Sequence, residues 1–442
     1  MRSELDVGKA IDHGAWGGYQ KLIVLLAAFA VIFDGLDIQV LGLSIPSLMK
    51  EWGVTRGAFA PVLALSLLGM AVGTVLGGQI GDRFGRRIGV IGSVLFFGVV
   101  TALTSLANDV TTLGALRFLA GLGLGGTLPN CSALSAEMTP LRSRATSVML
   151  TILCVPLGAM LGGLLAAQIL PVLGWRALFL IGGLLPIAAA VLLFVLLPES
   201  PRYLVRHPHR QARLARLLAR MGIPVPAGAE LVDRTEAGSG SLSVAALFTR
   251  EYRFDTTALW IACFFALLGT YCVLSWLPAV LSSVGLDSAQ ASTGITTYNL
   301  GGVLGVIASG VAVRWLGSRW LMLGLCTGVI GTALYLRSMN VSAANADAAI
   351  AVLGVLGFFL NNAQTALYAV AAHVYVTRIR STGVGSAVGF GRIGAVLSSF
   401  LVPVALQWNG IAGYFTLIAA ALVVSLLSLA VLKRHVPAGV RA

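Results

Sequence analysis

The chain has 442 residues, 57% of them hydrophobic and only 11% charged, with a mean hydropathy of +0.90. Soluble domains carry about 25% charged residues, so this composition excludes a water-solvated fold and makes the bilayer the solvent. The net charge of +13 would suit nucleic acid only if the basic residues were gathered on one face or arm, and they sit instead in short clusters between apolar runs.

Residues 1–20 are polar, and the first apolar run, from Leu22, is long enough to span and stay, so no cleaved signal is expected. Runs near the roughly 20 residues that a helix needs to cross the hydrocarbon recur twelve times: 22–45, 58–80, 88–107, 111–136, 146–170, 175–197, 256–282, 290–312, 319–338, 348–374, 381–406 and 409–432. The expectation is an all-α integral membrane protein. Its parts are an N-terminal tail (1–21), a six-helix bundle (22–197), a polar central loop (198–255), a second six-helix bundle (256–432) and a C-terminal tail (433–442). With the N-terminus in the cytoplasm, 24 of the thirty Lys and Arg fall on the inner side and four outside, while Arg117 and Arg392 lie inside spans. The positive-inside rule therefore expects both termini in the cytoplasm of a plasma (inner) membrane protein.

The first run contains FDGLDI, with Asp34 and Asp37 three positions apart around Gly35. A charge within a membrane helix costs on the order of 3 kcal/mol on insertion scales, so these aspartates must face a cavity or a partner. Residues three apart share a helical face, and both are expected to look into one space. The loop after the second run reads GQIGDRFGRR, with Gly78, Asp82, Arg83, Gly85, Arg86 and Arg87. The fourth run, LRFLAGLGLGG, holds Arg117. Counting rises of 1.5 Å, Arg117 lies roughly 9 Å from the outer end of its helix and Asp37 roughly 22 Å from the inner end of the first, depths that nearly coincide. Glu137 and Arg144 stand at the ends of the fourth and fifth runs.

The central loop holds nine arginines and the flexible stretch EAGSGS. Within it HRQARLARLLARMG sets Arg213, Arg216 and Arg220 on one side and Leu214, Leu217, Leu218 and Met221 on another, which suits either a helix on anionic lipid or a solvated linker. The seventh run carries Tyr271 and Trp276, the eighth Tyr298 and Asn299, and the tenth Asn361, Asn362 and Gln364. Arg392, in GFGRIG, falls roughly 16 Å into the eleventh helix, near the midplane. Cys131, Cys154, Cys263, Cys272 and Cys326 all lie in apolar runs without metal-ligand spacing and read as small apolar side chains.

The two halves overlay. GQIGDRFGRR falls on GVAVRWLGSR at an offset of 232, and EMTPLRSRAT falls on HVYVTRIRST at an offset of 236. A duplicated six-helix unit follows, the parallel-repeat plan of one large class of transporters, with the substrate site at the repeat interface near the midplane. The overlay puts Arg314 at the position of Asp82 and His373 at that of Glu137, so the second half departs from the first.

GGQIGDRFGRR resembles the loop signature of the major facilitator superfamily; PESPRYL (198–204) and the fourth run are similar to it too. DGLD in the first run, with TRIRSTGVG and GFGRIG around the eleventh, narrows the resemblance to the aromatic acid:proton symporter branch. It covers nearly the whole chain apart from 205–255. It implies the major facilitator fold and import of a small aromatic carboxylate of the benzoate, hydroxybenzoate or phenylpropionate type with a proton, by alternating access, in a monomer.

A neighbouring carboxylate and partial burial favour the protonated form of an acid, and a nearby arginine opposes it. A balance of the two suits proton coupling through Asp34 or Asp37 with Arg117 as counterweight, the alternative being a static ion-pair network. Arg392 offers a planar fork to a carboxylate, unless it pairs with one of the aspartates. Tyr298, Asn299, Asn361, Asn362 and Gln364 are candidate polar neighbours or ordinary interhelical bonds, and Tyr271 and Trp276 candidate ring contacts. Asp82, Arg86, Arg87, Glu137 and Arg144, with Gly78, Arg83 and Gly85 in the same loop, are expected to gate the cytoplasmic side, and Arg314, His373 and Arg380 to form a differently wired counterpart. His373 equally suits an interfacial polar group. A sugar, organic-cation or drug-efflux carrier of the same superfamily stays open, although the fifth run, PLGAMLGG, lacks the Gly-Pro pair associated with exporters; so does a membrane receptor that transports nothing. No Ser/His/Asp set, metal spacing or Walker loop points to an enzyme, a cofactor or a metal.

Overall fold

A backbone in hydrocarbon finds no water to bond, so each apolar run closes its own hydrogen bonds as a helix. The structure, a computed structural model, describes residues 4–226, 230–233, 247–339, 341–375 and 380–435. The side chains of Arg314 and Arg380 lie outside the described residues, and with them part of the expected second gate.

A strand β1 (Glu4–Asp6) and helix α1 (Val7–Asp12) precede the long helices α2 (Gly18–Trp52), α3 (Ala60–Phe84), α4 (Arg86–Thr104), α5 (Val110–Met138) and α6 (Leu141–Leu196). The connection between halves holds α7 (Pro201–Val205), α8 (Gln211–Arg220) and β2 (Glu230–Val232). The second half is built from α9 (Arg253–Ser283), α10 (Ser288–Ser338), α11 (Ala346–Val374) and α12 (Arg380–Val431).

Helices α6, α10 and α12 run to 56, 51 and 52 residues, about 75–85 Å at 1.5 Å per residue and far more than a bilayer's hydrocarbon. Each is broken once: at Gly174 (φ 75°), at Gly317 (φ 68°) and at Asn409–Gly410 (φ 53° at the glycine). The three breaks divide the nine long helices among the described residues into the twelve spans read from the sequence. The break positions also carry the repeat. Gly317 follows Gly85 (φ 109°) by 232 residues and Gly410 follows Gly174 by 236, the two offsets of the sequence overlay.

The fold is the twelve-helix, two-bundle architecture. Within the first half α2 packs on α5 and α6, and α3 and α4 on α5; within the second, α9 packs on α12 and α10 on α11. Large apolar side chains such as Val172, Val195, Trp315 and Trp408 are mostly exposed on the outside, where lipid is the solvent. The halves meet through α2 with α9, α3 with α12 and α6 with α10. A Cβ added at Gly42 would lie 3.1 Å from the Ser275 carbonyl oxygen, and one at Gly163 would lie 2.3 Å from Thr296 Oγ1. Both approaches fall in the helix halves remote from the face that bears the termini.

Close backbone contact also fixes the face of α2 that carries the aspartates. A Cβ at Gly35 would stand 1.9 Å from the Val155 carbonyl oxygen, and one at Gly158 would stand 1.9 Å from that of Ile32, so α2 and α6 touch backbone to backbone. Gly35→Ala is expected to lower stability by about 1–3 kcal/mol in unfolding of the purified protein. Gly92, where an added Cβ meets nothing within 4 Å, should accept alanine without loss.

Two elements depart from the sequence reading. The N-terminal tail is folded: β1 pairs in parallel with β2, and Val7 and Ile11 of α1 are buried. The apolar side of α8 (Leu214, Leu217, Leu218, with Met221 behind it) is buried in a core shared with α1 and α2, and so neither lies on lipid nor belongs to a free linker. Only the arginine side faces out. A ten-residue helix cannot persist alone in water, and burying four apolar side chains against its own protein stabilises it more than solvent would.

Candidate functional site

The two aspartates on α2 meet different surroundings. Asp37 is sealed, 2% exposed, against an equally buried Arg117 of α5, with Arg117 Nη1 3.1 Å from Asp37 Oδ2. Thr101 of α4 donates to Asp37 Oδ1 at 2.5 Å, while Arg117 Nη2 donates to Thr101 Oγ1 at 3.1 Å and Thr104 Oγ1 at 2.9 Å. The guanidinium lies over the Phe179 ring of α6, 5.0 Å from its centroid. Four helices of the first half therefore converge on one ion pair, which answers the cost of burying each charge. The depths estimated along the chain put these two side chains level. The sequence expects both aspartates in one space with Arg117 as counterweight or, alternatively, a static ion-pair network; in the structure Arg117 pairs with Asp37, and Asp37 remains an electrostatic neighbour of Asp34.

Asp34 is also 2% exposed, yet its Oδ1 has no hydrogen-bond partner. Its electrostatic neighbours are Arg392 of α12, in the other half, and Asp37. Arg392 donates from Nη1 to the Tyr271 hydroxyl at 3.0 Å and also interacts with Tyr368. Gln364 Nε2 in turn donates to the Tyr368 hydroxyl at 3.0 Å. Arg392, Gln364 and Tyr368 are half-buried. Asp34, Tyr271, Gln364, Tyr368 and Arg392 thus form one cross-half cluster. Its components are an acid with one oxygen unpartnered, a guanidinium hydrogen-bonded to a phenol, a second phenol and an amide. Such a set can hold a proton on the acid, a carboxylate on the guanidinium and a flat ring among the aromatics.

The other expected neighbours sit elsewhere. Trp276 and Tyr298 are fully buried, with Trp276 packed in the apolar core. Asn299 spends its amide on the Ile295 carbonyl at 2.8 Å, one turn back along its own helix. Asn361 donates to the Gly357 carbonyl at 3.3 Å and fills the space left by Gly302 of α10; Asn362 is buried with its Oδ1 unpartnered. The hydrogen bonds of Asn299 and Asn361 thus stay within their own helices, and α10 meets α11 here through the packing of Asn361 on Gly302. Thr101, Thr104 and Tyr368 were not foreseen. A signal for each was present: Thr101 and Thr104 are three apart in an apolar run that has to satisfy an arginine, and Tyr368 follows Gln364 by one turn.

The terminal-face charge cluster assembles within the first half. Arg86 pairs with Asp82 at 2.5 Å and Glu137 at 3.3 Å, and its Nη1 donates to Asn130 Oδ1 at 3.5 Å. Glu137 also accepts from the Ser200 hydroxyl. Asp82 is 61% exposed and Glu137 14%, so solvent screens the first pair far more than the second and the weight of the cluster shifts from Asp82 to Glu137. Gly85 is needed for two reasons: its φ of 109° and the 2.2 Å that would separate a Cβ from Glu199 Oε2. Glu199 takes the Arg87 backbone N–H at 3.1 Å. Burial pushes the Glu199 carboxyl up, against the backbone donors that hold it down. Arg87 reaches the Phe194 carbonyl and ring, and Arg144 binds Asp12 of α1, a partner the sequence did not suggest. Gly78 has open space around it, Arg83 lies over Phe84, and His373 is exposed.

The model of the Major Facilitator Superfamily matches residues 27–250. A gallate transporter of Pseudomonas putida is 36% identical over 405 residues, covering 90% of this chain and 88% of the relative. The 4-hydroxybenzoate transporter PcaK of Pseudomonas aeruginosa is 34% identical, covering 92% and 91%. Among solved structures, a partially occluded inward-open conformation of the xylose transporter XylE from E. coli superposes with a TM-score of 0.70 at 18% identity, covering 93% of this chain and 98% of that one, a likeness of fold alone. The two curated relatives, matched along most of their length, are transporters of the aromatic acids gallate and 4-hydroxybenzoate, and the chain belongs to the Major Facilitator Superfamily.

Proposed function

We propose that this multi-pass membrane protein, a transporter and not an enzyme, imports a small aromatic carboxylate together with a proton by alternating access, from the plasma membrane with both termini in the cytoplasm. The observation that carries the reading is the placement of Asp34, one oxygen without a hydrogen bond, opposite Arg392 across the two halves. The aromatic acid relatives support the substrate class.

Charge balance explains the coupling. In the empty site an ionised Asp34 and Arg392 offset one another. In the loaded site a protonated Asp34 leaves Arg392 to the substrate carboxylate, so the total is again zero. A proton alone or an anion alone leaves a net charge in a low-dielectric chamber, which costs several kcal/mol. Only the empty and doubly loaded forms rearrange readily, so proton and substrate move together. The close approaches at Gly42 and Gly163 lie toward the far side, which supports a chamber open to the cytoplasm here. The Arg86–Glu137 cluster is the part of the cytoplasmic gate that stays assembled within one half in this state.

The test is uptake of labelled benzoates, hydroxybenzoates, phenylpropionates and a hexose into proteoliposomes with and without an inward proton gradient. Aromatic acids should accumulate up to about tenfold per pH unit at one proton each, since one unit is about 1.4 kcal/mol. At that stoichiometry a membrane potential alone should drive none. Accumulation of hexose and not of acids would overturn the reading. Arg392→Lys keeps the charge and loses the fork, and KM is expected to rise about tenfold or more; an unchanged KM would exclude the carboxylate clamp.

A further inference from the structure

The arginines of α8 that face away from the protein core border a pocket for which the transport reading has no use. A cavity of about 450 Å³ lies between α8, the start of α4 and the start of α2. Five arginines line it: Arg87 from α4, and Arg210, Arg213, Arg216 and Arg220 from α8 and the turn before it. Among the described residues Glu199 is the one carboxylate in that lining, and its Oε1 already accepts the backbone N–H groups of Arg87 and Ser200. Among the described residues none of the four α8-side arginines is in an ion pair. Their partners are neutral: Arg210 Nε donates to His209 Nε2 at 3.3 Å and Arg216 Nε to the Ala212 carbonyl at 3.2 Å, while Arg220 lies 5.9 Å from the Tyr19 ring centroid and Arg210 5.5 Å from that of Tyr203.

Four unneutralised guanidinium groups around one concavity repel each other unless an anion sits among them, and guanidinium forks match phosphate oxygens. The position of the cavity narrows the source. Ile88, in its wall, is 53% exposed, and Phe194, whose carbonyl Arg87 holds, is 64% exposed; both belong to the lipid-facing ends of spans. A headgroup phosphate in the cavity would leave its acyl chains along these side chains. We propose that this pocket binds a phosphate group, carried by an anionic phospholipid of the leaflet on the terminal face, and that the α8 arginines hold it. Basic pockets beside membrane helices take anionic headgroups in this way, each arginine near the surface contributing about fivefold in affinity.

The test uses the purified full chain in detergent, titrated with phosphatidylglycerol, phosphatidylcholine or inorganic phosphate. Retained lipid is read by native mass spectrometry and phosphate by the shift of the thermal midpoint. One phosphatidylglycerol per chain should be held in preference to phosphatidylcholine. R213Q/R216Q/R220Q should weaken that binding on the order of a hundredfold, R213K/R216K/R220K should recover part of it, and R250Q/R253Q, a loss of two charges on the same face, should leave it unchanged. Equal unfolding midpoints in phosphatidylcholine establish that the variants fold. Midpoint stabilisation by phosphatidylglycerol alone marks the lipid as the source; stabilisation by inorganic phosphate as well shows a site that takes the group from either. No preference for phosphatidylglycerol, or an equal loss in R250Q/R253Q, would overturn the site.

Discussion

Asp34→Asn is expected to abolish accumulation of an aromatic acid against its own gradient while preserving exchange of labelled for unlabelled substrate. Asparagine is neutral at every pH and so imitates the protonated acid: Arg392 stays free for the substrate carboxylate, and binding should become independent of pH. What is lost is the empty form in which Asp34 and Arg392 offset one another. Without it the unloaded carrier holds a bare guanidinium in its chamber and does not return. A pH step of one unit should then yield an inside-to-outside ratio near one, against about ten for the native protein. The measurement is concentrative uptake beside counterflow in the same vesicles. Undiminished accumulation by Asp34→Asn would place the proton on another group.

Asp37→Asn, three residues away, should fail differently, by destabilising the protein. Arg117 is 1% exposed and has no carboxylate within ion-pair range other than Asp37 among the described residues. Removing one partner of a buried pair leaves an uncompensated charge and costs about 3–5 kcal/mol. Asparagine retains one acceptor for Thr101 or Arg117, so a value of about 3 kcal/mol is expected. Unfolding of the purified protein should register the loss. The double variant Asp37→Asn/Arg117→Met should recover much of it, because Met removes the stranded cation and still packs on Phe179. If Asp37→Asn unfolds like the native chain yet cannot accumulate substrate, Asp37 is the proton carrier and the separation of roles between the two aspartates is wrong.

That separation was not legible along the chain. Helical spacing puts Asp34 and Asp37 on one face of α2, and rises per residue set Asp37 level with Arg117. Both are local quantities, computed from one helix at a time. Which neighbour each carboxylate meets depends on how helices pack. The partners of Asp37 are 64 and 80 residues away in sequence, Thr101 and Arg117, and Arg392 belongs to the other half altogether. The same limit explains Trp276 and Tyr298, aromatic residues of suitable type that packing withdrew into the interior, and Asp12, whose pairing with Arg144 depends on a tail that folds back.

What the sequence determined by itself is the part governed by the solvent and by the chain's own period. A bilayer requires about twenty apolar residues per crossing and helices that satisfy their own backbone, so twelve runs dictate twelve spans. Duplication writes the same breaks twice, and the offsets of 232 and 236 reappear at Gly85 and Gly317 and at Gly174 and Gly410. Tertiary structure alone decided which partner each buried charge meets. Buried electrostatics fall off over a few ångströms and depend on every group within that radius. In a helical membrane protein those groups come from four or five spans whose rotation and tilt follow from glycine contacts such as Gly35 on Val155, a relation between helices that no single run of residues contains.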